Sequence, residues 1–203
     1  MTVVVDYGLG NKGSILNMLQ KIGHPGRVTA AADDIRSAER LILPGVGAFD
    51  HGMTRLRDAG LEAPIKEAVA NGAKLLGICL GAQMLFEGSE EGVLPGLALI
   101  KGRVIRFRPT TDGATLRIPH MGWNVAVQQG DQPLFKGMDS APRFYFVHSY
   151  HFAPTDAADV AATTVYGSTF ASAVAHGRIS GVQFHPEKSH RFGMALLTNF
   201  STL

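Results

Sequence analysis

The chain has 203 residues, 45% hydrophobic and 18% charged, a composition that argues for one well-buried domain and against intrinsic disorder. A net charge of +2 gives no electrostatic footing for nucleic acid or an anionic membrane surface. A single cysteine, Cys79, excludes an internal disulfide and fits a reducing, intracellular compartment.

Thr2–Tyr7 is apolar and β-branched and predicts a buried first strand; no basic region precedes a long apolar stretch as in a secretory leader. No apolar run reaches the roughly 18 residues of a membrane helix, so a cytoplasmic location is expected. After Gly8-Leu9-Gly10, Asn11 is a plausible N-cap for a helix whose stripe is Ile15, Met18, Leu19 and Ile22. Arg27–Ala30 predicts a short strand, and Arg40–Leu43 a third that ends in Pro44-Gly45-Val46-Gly47. Weaker helical patterns fill Phe49–Arg57 and Glu62–Ala70. Lys74–Ile78 then predicts a strand that runs into Cys79, followed by a helix through Phe86.

That alternation predicts an α/β fold, a doubly wound, mostly parallel sheet with helices on both faces. Beyond Gly92 the pattern changes to short β-like runs at Leu97–Phe107, Trp123–Val127, Arg143–Val147, Ala158–Val165, Ala171–Ala175 and Ile179–Phe184, an additional antiparallel region. A last helix starts near Ser189 and puts Phe192, Ala195, Leu196, Asn199 and Phe200 on one face. With no repeat, low-complexity tract or linker, residues 1–203 are expected to be one domain.

Two short motifs carry chemistry. Gly77-Ile78-Cys79-Leu80-Gly81 lies where a buried strand should turn sharply into a helix, the setting of a nucleophile elbow. The flanking glycines suit a crowded turn, the helix N-terminus favours a thiolate, and the Leu80 N–H can face an oxyanion. A buried cysteine alone is more often a small hydrophobe. The second motif is Phe184-His185-Pro186-Glu187. Residues i and i+2 of an extended chain share a face, about 6–7 Å apart, and proline disfavours helix at the residue before it. His185 can then exchange protons with the thiol while Glu187 orients and supports the ring. A solvated His–Glu pair is commoner in isolation; together with the elbow it predicts a Cys79–His185–Glu187 triad.

These motifs resemble those of class I glutamine amidotransferases, as does Pro44-Gly45-Val46-Gly47. The match extends through Asp6–Asn11, Leu41–Phe49, Gly77–Gln83, Pro119-His120-Met121-Gly122-Trp123-Asn124, Phe146–Tyr150 and His185–Ser189, in order along nearly the whole chain. The Pro-His-Met-Gly-Trp-Asn and Pro-Glu-Lys-Ser runs resemble most closely the family's glutaminase subunits of histidine biosynthesis. Ala82 stands where this family usually has Met, and Gly13 replaces a larger residue.

The resemblance implies that Cys79 attacks the side-chain amide of glutamine, with an oxyanion hole from Val46, Gly47 and Leu80. It implies glutamine contacts from Gly45, Gln83, Glu91, Ser149 and Tyr150. It implies no cofactor, and a (β/α)₈-barrel cyclase as heterodimer partner that uses the ammonia to form imidazole glycerol phosphate and an aminoimidazole carboxamide ribotide. Asn11, Trp123 and Lys188 are the candidate interface residues; core packing is the competing role for Trp123. The glycines around Val46 would also let its peptide turn in only when partner and nucleotide are bound.

Gly8-Leu9-Gly10-Asn11-Lys12-Gly13, with Asp33 and Asp34 downstream, fits a dinucleotide fingerprint, but that reading leaves the elbow and the His-Pro-Glu run unexplained. A non-catalytic subunit of the same fold, a glutaminase serving another synthase and a generic cysteine hydrolase are further alternatives. Lys101, Arg103, Arg106 and Arg108 are expected to form a solvated face. His120, His148, His151 and His176 lack metal-ligand spacing, so no metal is expected.

Overall fold

The first strand, β1 (Thr2–Val5), is buried at every position, and β3 (Arg40–Gly45) and β4 (Lys74–Cys79) at every position but the first. Strands covered on both faces need such unbroken apolar runs. In this computed structural model, which describes residues 1–108, 110–111 and 114–203, they form the centre of the main sheet. β2 (Gly26–Thr29) pairs with β1, and the order β2-β1-β3-β4 is parallel throughout. The intervening helices are α1 (Lys12–Lys21), α2 (Ala32–Arg36), α3 (Phe49–Asp58) and α4 (Glu62–Ala70).

Strand alternation divides the interior into two cores. Val3, Val5, Leu41, Leu43 and Leu75 face one side with Phe49, Met53, Leu56 and Ile65 of α3 and α4. Val4, Ile42 and Leu76 face the other with Ile15 and Leu19 of α1 and with Leu196, Leu197 and Phe200 of the C-terminal helix. The side-chain period of two assigns successive residues to opposite faces, which makes the sheet doubly wound, as expected. Asn11 caps α1, its side chain accepting the Ser14 N–H at 3.4 Å.

Two expectations fail around the elbow. The helix after Cys79, α5, spans only Leu80–Gln83, not to Phe86. The strand expected over Leu97–Phe107 is confined to Gly102–Arg106 (β6), which pairs with the short β5 (Gly88–Ser89). The cause is shared: the Leu97, Ala98, Leu99 and Ile100 N–H groups donate to the carbonyls of Met84, Phe86, Leu85 and Leu85 at 2.8–3.1 Å. The chain after α5 satisfies its backbone with this loop and does not extend the helix.

The C-terminal half adds β7 (Thr110–Thr111) and β8 (Ala114–Thr115), which pair as a hairpin, then β9 (His120–Val125) and β10 (Val127–Gln128). After them come β11 (Arg143–His148), β12 (Tyr150–Pro154), β13 (Val160–Tyr166), β14 (Ser168–His176), β15 (Ile179–Val182) and α6 (His190–Thr202). β15 inserts parallel beside β4 and is antiparallel to β14, so it joins the parallel half of the sheet to the antiparallel half. β9 and β11 form a separate antiparallel pair, with Trp123 opposite Tyr145 and His120 opposite His148. β4 and β15 thus end side by side, and the residues beyond their ends meet above the sheet.

Candidate active site

Cys79 ends β4 with φ 53 and ψ −113 and is the N-cap of α5. A non-glycine residue with positive φ marks backbone strain. The turn is tight on both sides. A Cβ on Gly77 would lie 2.5 Å from the Ala82 Cα, and one on Gly81 only 1.9 Å from the Leu43 carbonyl oxygen. Ala82, fully buried, is the nearest side chain to Gly181 of β15 after Val174, so the small residue fits the close approach of α5 to the sheet. The Leu80 amide is the first of α5, where no intrahelical acceptor is available.

His185 follows β15. Its N–H donates to the Tyr145 carbonyl at 2.9 Å, and its own carbonyl accepts the Ser189 hydroxyl at 2.6 Å. Glu187 Oε1 takes the Nδ1 hydrogen at 2.8 Å, which leaves Nε2 free for the Cys79 thiol in the same cavity. The side chains of His185 and Glu187 are each 2% exposed. Burial pulls the imidazole pKa down, but the nearby Cys79 sulfur and the hydrogen-bonded Glu187 carboxylate outweigh it, and it is raised to about 10. Glu187 Oε2 is buried without a hydrogen-bond partner, so no neighbouring donor dilutes its charge.

The sequence reasoning put the ring and carboxylate together through an extended chain. Only His185 is extended; Pro186–Lys188 form a 3₁₀ turn. Proline disfavours helix at the residue before it but is well placed to open a helical turn itself, and the turn folds Glu187 back onto the ring.

Val46, Gly47, Leu80, Gln83, Glu91, Ser149 and Tyr150 line one cavity of ≈ 330 Å³ with Cys79 and His185. Gly45 does not line it. It is paired with Cys79 in the sheet, and a Cβ there would meet the Gly81 N at 2.5 Å. Glu91 Oε2 accepts the Phe49 N–H at 2.9 Å, and the next residues are held by Asp50, whose carboxylate accepts the Val93 and Leu94 N–H groups at 3.0 Å each. Burial raises the Glu91 pKa, the Phe49 N–H opposes it, and the charge of Asp50 adds to it.

Sequence reasoning missed Gln183. Its Nε2 donates to Cys79 Sγ at 3.7 Å, and its Oε1 accepts Gln83 Nε2 at 3.0 Å, while Gln83 also donates to the Tyr150 carbonyl at 3.3 Å. The available signal was a lone amide in a buried run two residues before His185. Pro119 and Val147 also line the cavity without having been foreseen.

Trp123 is 41% exposed, so it is not a core residue. Its ring stacks on His190 at 5.4 Å and meets Tyr145 edge-on, and Lys188 Nζ sits 5.7 Å from the Tyr145 centroid. Trp123 and Lys188 therefore share one face with exposed Met121, and Asn11 caps α1.

The glycine fingerprint at Gly8–Gly13 is filled by the protein itself: Asp6 accepts the Gly8 N–H and pairs with Lys12, so a carboxylate already occupies the turn. Asp33 and Asp34 are paired with Arg36 and Arg27. Arg103, Arg106 and Arg108 are exposed and lie beside Ser89 and Glu90, outside the lining of the cavity. Among the described residues no group of three or more His, Cys, Asp or Glu could hold a metal ion, and no helix is long and apolar enough to cross a membrane. A larger cavity, ≈ 540 Å³, opens at the opposite ends of the strands between Arg36, Arg40 and Lys74; it contains neither thiol nor imidazole.

Comparison with known proteins gives the family of the chain. The model of the family "Glutamine amidotransferase class-I" matches residues 3–202. The chain is 48% identical to the imidazole glycerol phosphate synthase subunit HisH 2 of Pseudomonas aeruginosa, with 100% of both chains covered. It is also 48% identical to the HisH subunit of Nostoc punctiforme, over 97% of this chain and 93% of that one. Among solved structures, a glutamine amidotransferase superposes with TM-score 0.74 at 20% identity over 99% of each chain. PurLQS from Thermotoga maritima superposes with TM-score 0.72 at 20% identity over 98% of this chain and 96% of that one. At those identities the two structures speak for the fold alone.

Proposed function

The chain belongs to the class-I glutamine amidotransferases, among the HisH subunits of imidazole glycerol phosphate synthase, and we propose that Cys79, His185 and Glu187 act in it as the triad that hydrolyses glutamine. The observation that carries this reading is the meeting, in one cavity, of a thiol on a strained corner and an imidazole backed by a buried carboxylate.

The sulfur attacks the amide carbon of glutamine. Negative charge gathers on the oxygen, which accepts from the Leu80 amide and, once the Val46 peptide has turned inward, from the backbone of Val46 and Gly47; each such donor is typically worth about 3–4 kcal/mol in the transition state. Imidazolium His185 gives its proton to the departing nitrogen and ammonia leaves. Water, deprotonated by His185, then cleaves the glutamyl thioester to glutamate. Gln183 donates a hydrogen bond to the sulfur and holds it toward the cavity. Glu91 offers a carboxylate to the α-ammonium of glutamine, and Gln83, Ser149 and Tyr150 border its carboxylate end.

Ammonia is mostly protonated at neutral pH and would be lost by diffusion, so direct transfer is chemically sensible. The receiving partner in this reading is a (β/α)₈-barrel cyclase that forms imidazole glycerol phosphate and an aminoimidazole carboxamide ribotide. It docks on the face of Trp123 and Lys188, with Asn11 as a further contact. The Val46 peptide turns inward when that partner and its nucleotide are bound. Residues 1–203 act as a single amidotransferase domain in the cytoplasm.

The test is glutamate release from glutamine, measured with and without the cyclase and its nucleotide, with Cys79→Ser as control. Release that depends on Cys79 and rises in the full complex supports the reading. Release that survives Cys79→Ser refutes the triad, and full release without the partner refutes the peptide switch.

A further inference from the structure

Two buried histidines outside the triad lie end to end beneath β9 and β11. His148 Nδ1 is 2.8 Å from the Tyr150 carbonyl, His148 Nε2 is 2.9 Å from His120 Nδ1, and His120 Nε2 is 3.2 Å from Asn124 Nδ2. His120 is 3% and His148 5% exposed. His120 stacks on Tyr166 at 4.2 Å and on Phe146 at 4.9 Å, and His148 packs against Phe170 at 5.2 Å. Burial pushes the two rings down to about 4 and about 3, so both are neutral at pH 7. A neutral imidazole has one donor and one acceptor.

The direction of every bond then follows from its ends. The Tyr150 carbonyl can only accept, so His148 bears its hydrogen on Nδ1 and its Nε2 is bare. That bare nitrogen must accept from His120 Nδ1–H, which leaves His120 Nε2 bare. It accepts in turn from the Asn124 amide, whose other hydrogen satisfies the Val165 carbonyl at 2.9 Å and whose oxygen accepts the Val125 N–H at 2.8 Å. No donor faces a donor anywhere in the chain, and chains of this kind strengthen each member. The far end is the Tyr150 carbonyl, which also accepts from Gln83; His148, Gln83 and Tyr150 all line the catalytic cavity. The near end is Asn124, which shares the inner face of β9 with His120 and follows exposed Trp123 in the strand.

We propose that Asn124, His120 and His148 form a one-way, uncharged relay of positioning residues that fixes Ser149–Tyr150 for glutamine and ties that wall to the strand bearing Trp123. The proposal rests on the glutaminase reading for its substrate.

The closing experiment has two arms, both on the full chain in complex with the cyclase. ¹⁵N-imidazole spectra of the wild-type protein at pH 7 should show Nδ1–H and bare Nε2 for both rings. Either ring as Nε2–H or as imidazolium overturns the relay, whatever the activity. The second arm compares His148→Asn, whose amide replaces the Nδ1 donor to Tyr150, with His148→Gln, whose amide replaces Nε2 and leaves Tyr150 without it. Gln should raise KM for glutamine about tenfold with kcat within about twofold, and Asn should restore most of the affinity. Equal KM values for both variants, wild-type or not, reduce the histidines to core packing. If wild-type complex releases no glutamate, the glutaminase reading fails, while the spectra still decide the relay.

Discussion

Gly81 passes so close to Leu43 that a Cβ on it would stand 1.9 Å from the Leu43 carbonyl oxygen. The elbow can be this sharp only because α5 starts against the backbone of β3. Gly81→Ala should cost at least about 3 kcal/mol of unfolding free energy and abolish glutamine hydrolysis, because α5 and Cys79 must move together. Gly13 is the opposite case. It lies inside α1 with no heavy atom within 4 Å of a Cβ, and Gly13→Ala should stabilise by about 0.5 kcal/mol without touching activity. Denaturant unfolding of the two variants checks both signs.

Glu187 raises His185, so Glu187→Gln should lower its pKa. Proton donation to the leaving nitrogen needs the imidazolium, and the wild-type ring loses it only as pH rises through about 10. In the variant the alkaline limb of kcat should move to lower pH, with kcat down on the order of 10²–10⁴-fold. The same sign governs stability. A raised pKa contributes fully below the unfolded value of about 6.5 and is lost as pH climbs through the folded one, so the wild type's advantage over Glu187→Gln should shrink at high pH. A pH–rate profile and urea melts at several pH values test the two halves.

Glu91 is held above the usual carboxylate range, chiefly by burial. It therefore takes up a proton on acidification before an exposed glutamate would, and a neutral acid binds an ammonium poorly. KM for glutamine should rise as the medium turns mildly acidic. Glu91→Gln should raise KM about 10- to 100-fold at neutral pH and remove that acidic rise, with kcat little changed. Initial rates against glutamine concentration at several pH values decide it; a wild-type KM indifferent to the substitution removes Glu91 from the substrate site.

Ser189 is fully buried and bridges two segments: its hydroxyl donates to the His185 carbonyl at 2.6 Å and accepts the Tyr145 N–H at 3.0 Å. Ser189→Ala leaves that part-buried N–H without its partner and loosens the backbone of His185. The expected cost is about 1–3 kcal/mol in stability and about tenfold in kcat, with KM unchanged. Kinetics and thermal melts on one preparation would show both; a loss confined to KM would contradict the bridge.

What the residues determined alone was local. The apolar runs at Val3–Val5, Leu41–Leu43 and Leu75–Ile78 specify buried parallel strands, Gly77 and Gly81 specify a sharp corner, and His185 with Glu187 specify a supported base, because period and turn chemistry act within a few residues. The same local rules misjudged the end of α5 and the start of β6, where Leu97–Ile100 satisfy the carbonyls of Met84–Phe86. They also gave an extended Glu187 where the chain makes a 3₁₀ turn. Tertiary structure decided what depends on partners far apart in the chain. Gln183 reaches the Cys79 sulfur across 104 residues, Asp50 steadies the loop of Glu91 from more than 40 residues away, and His120 finds His148 only because β9 pairs with β11. A hydrogen bond is fixed by where two atoms sit, and for these groups only the packed sheet sets that.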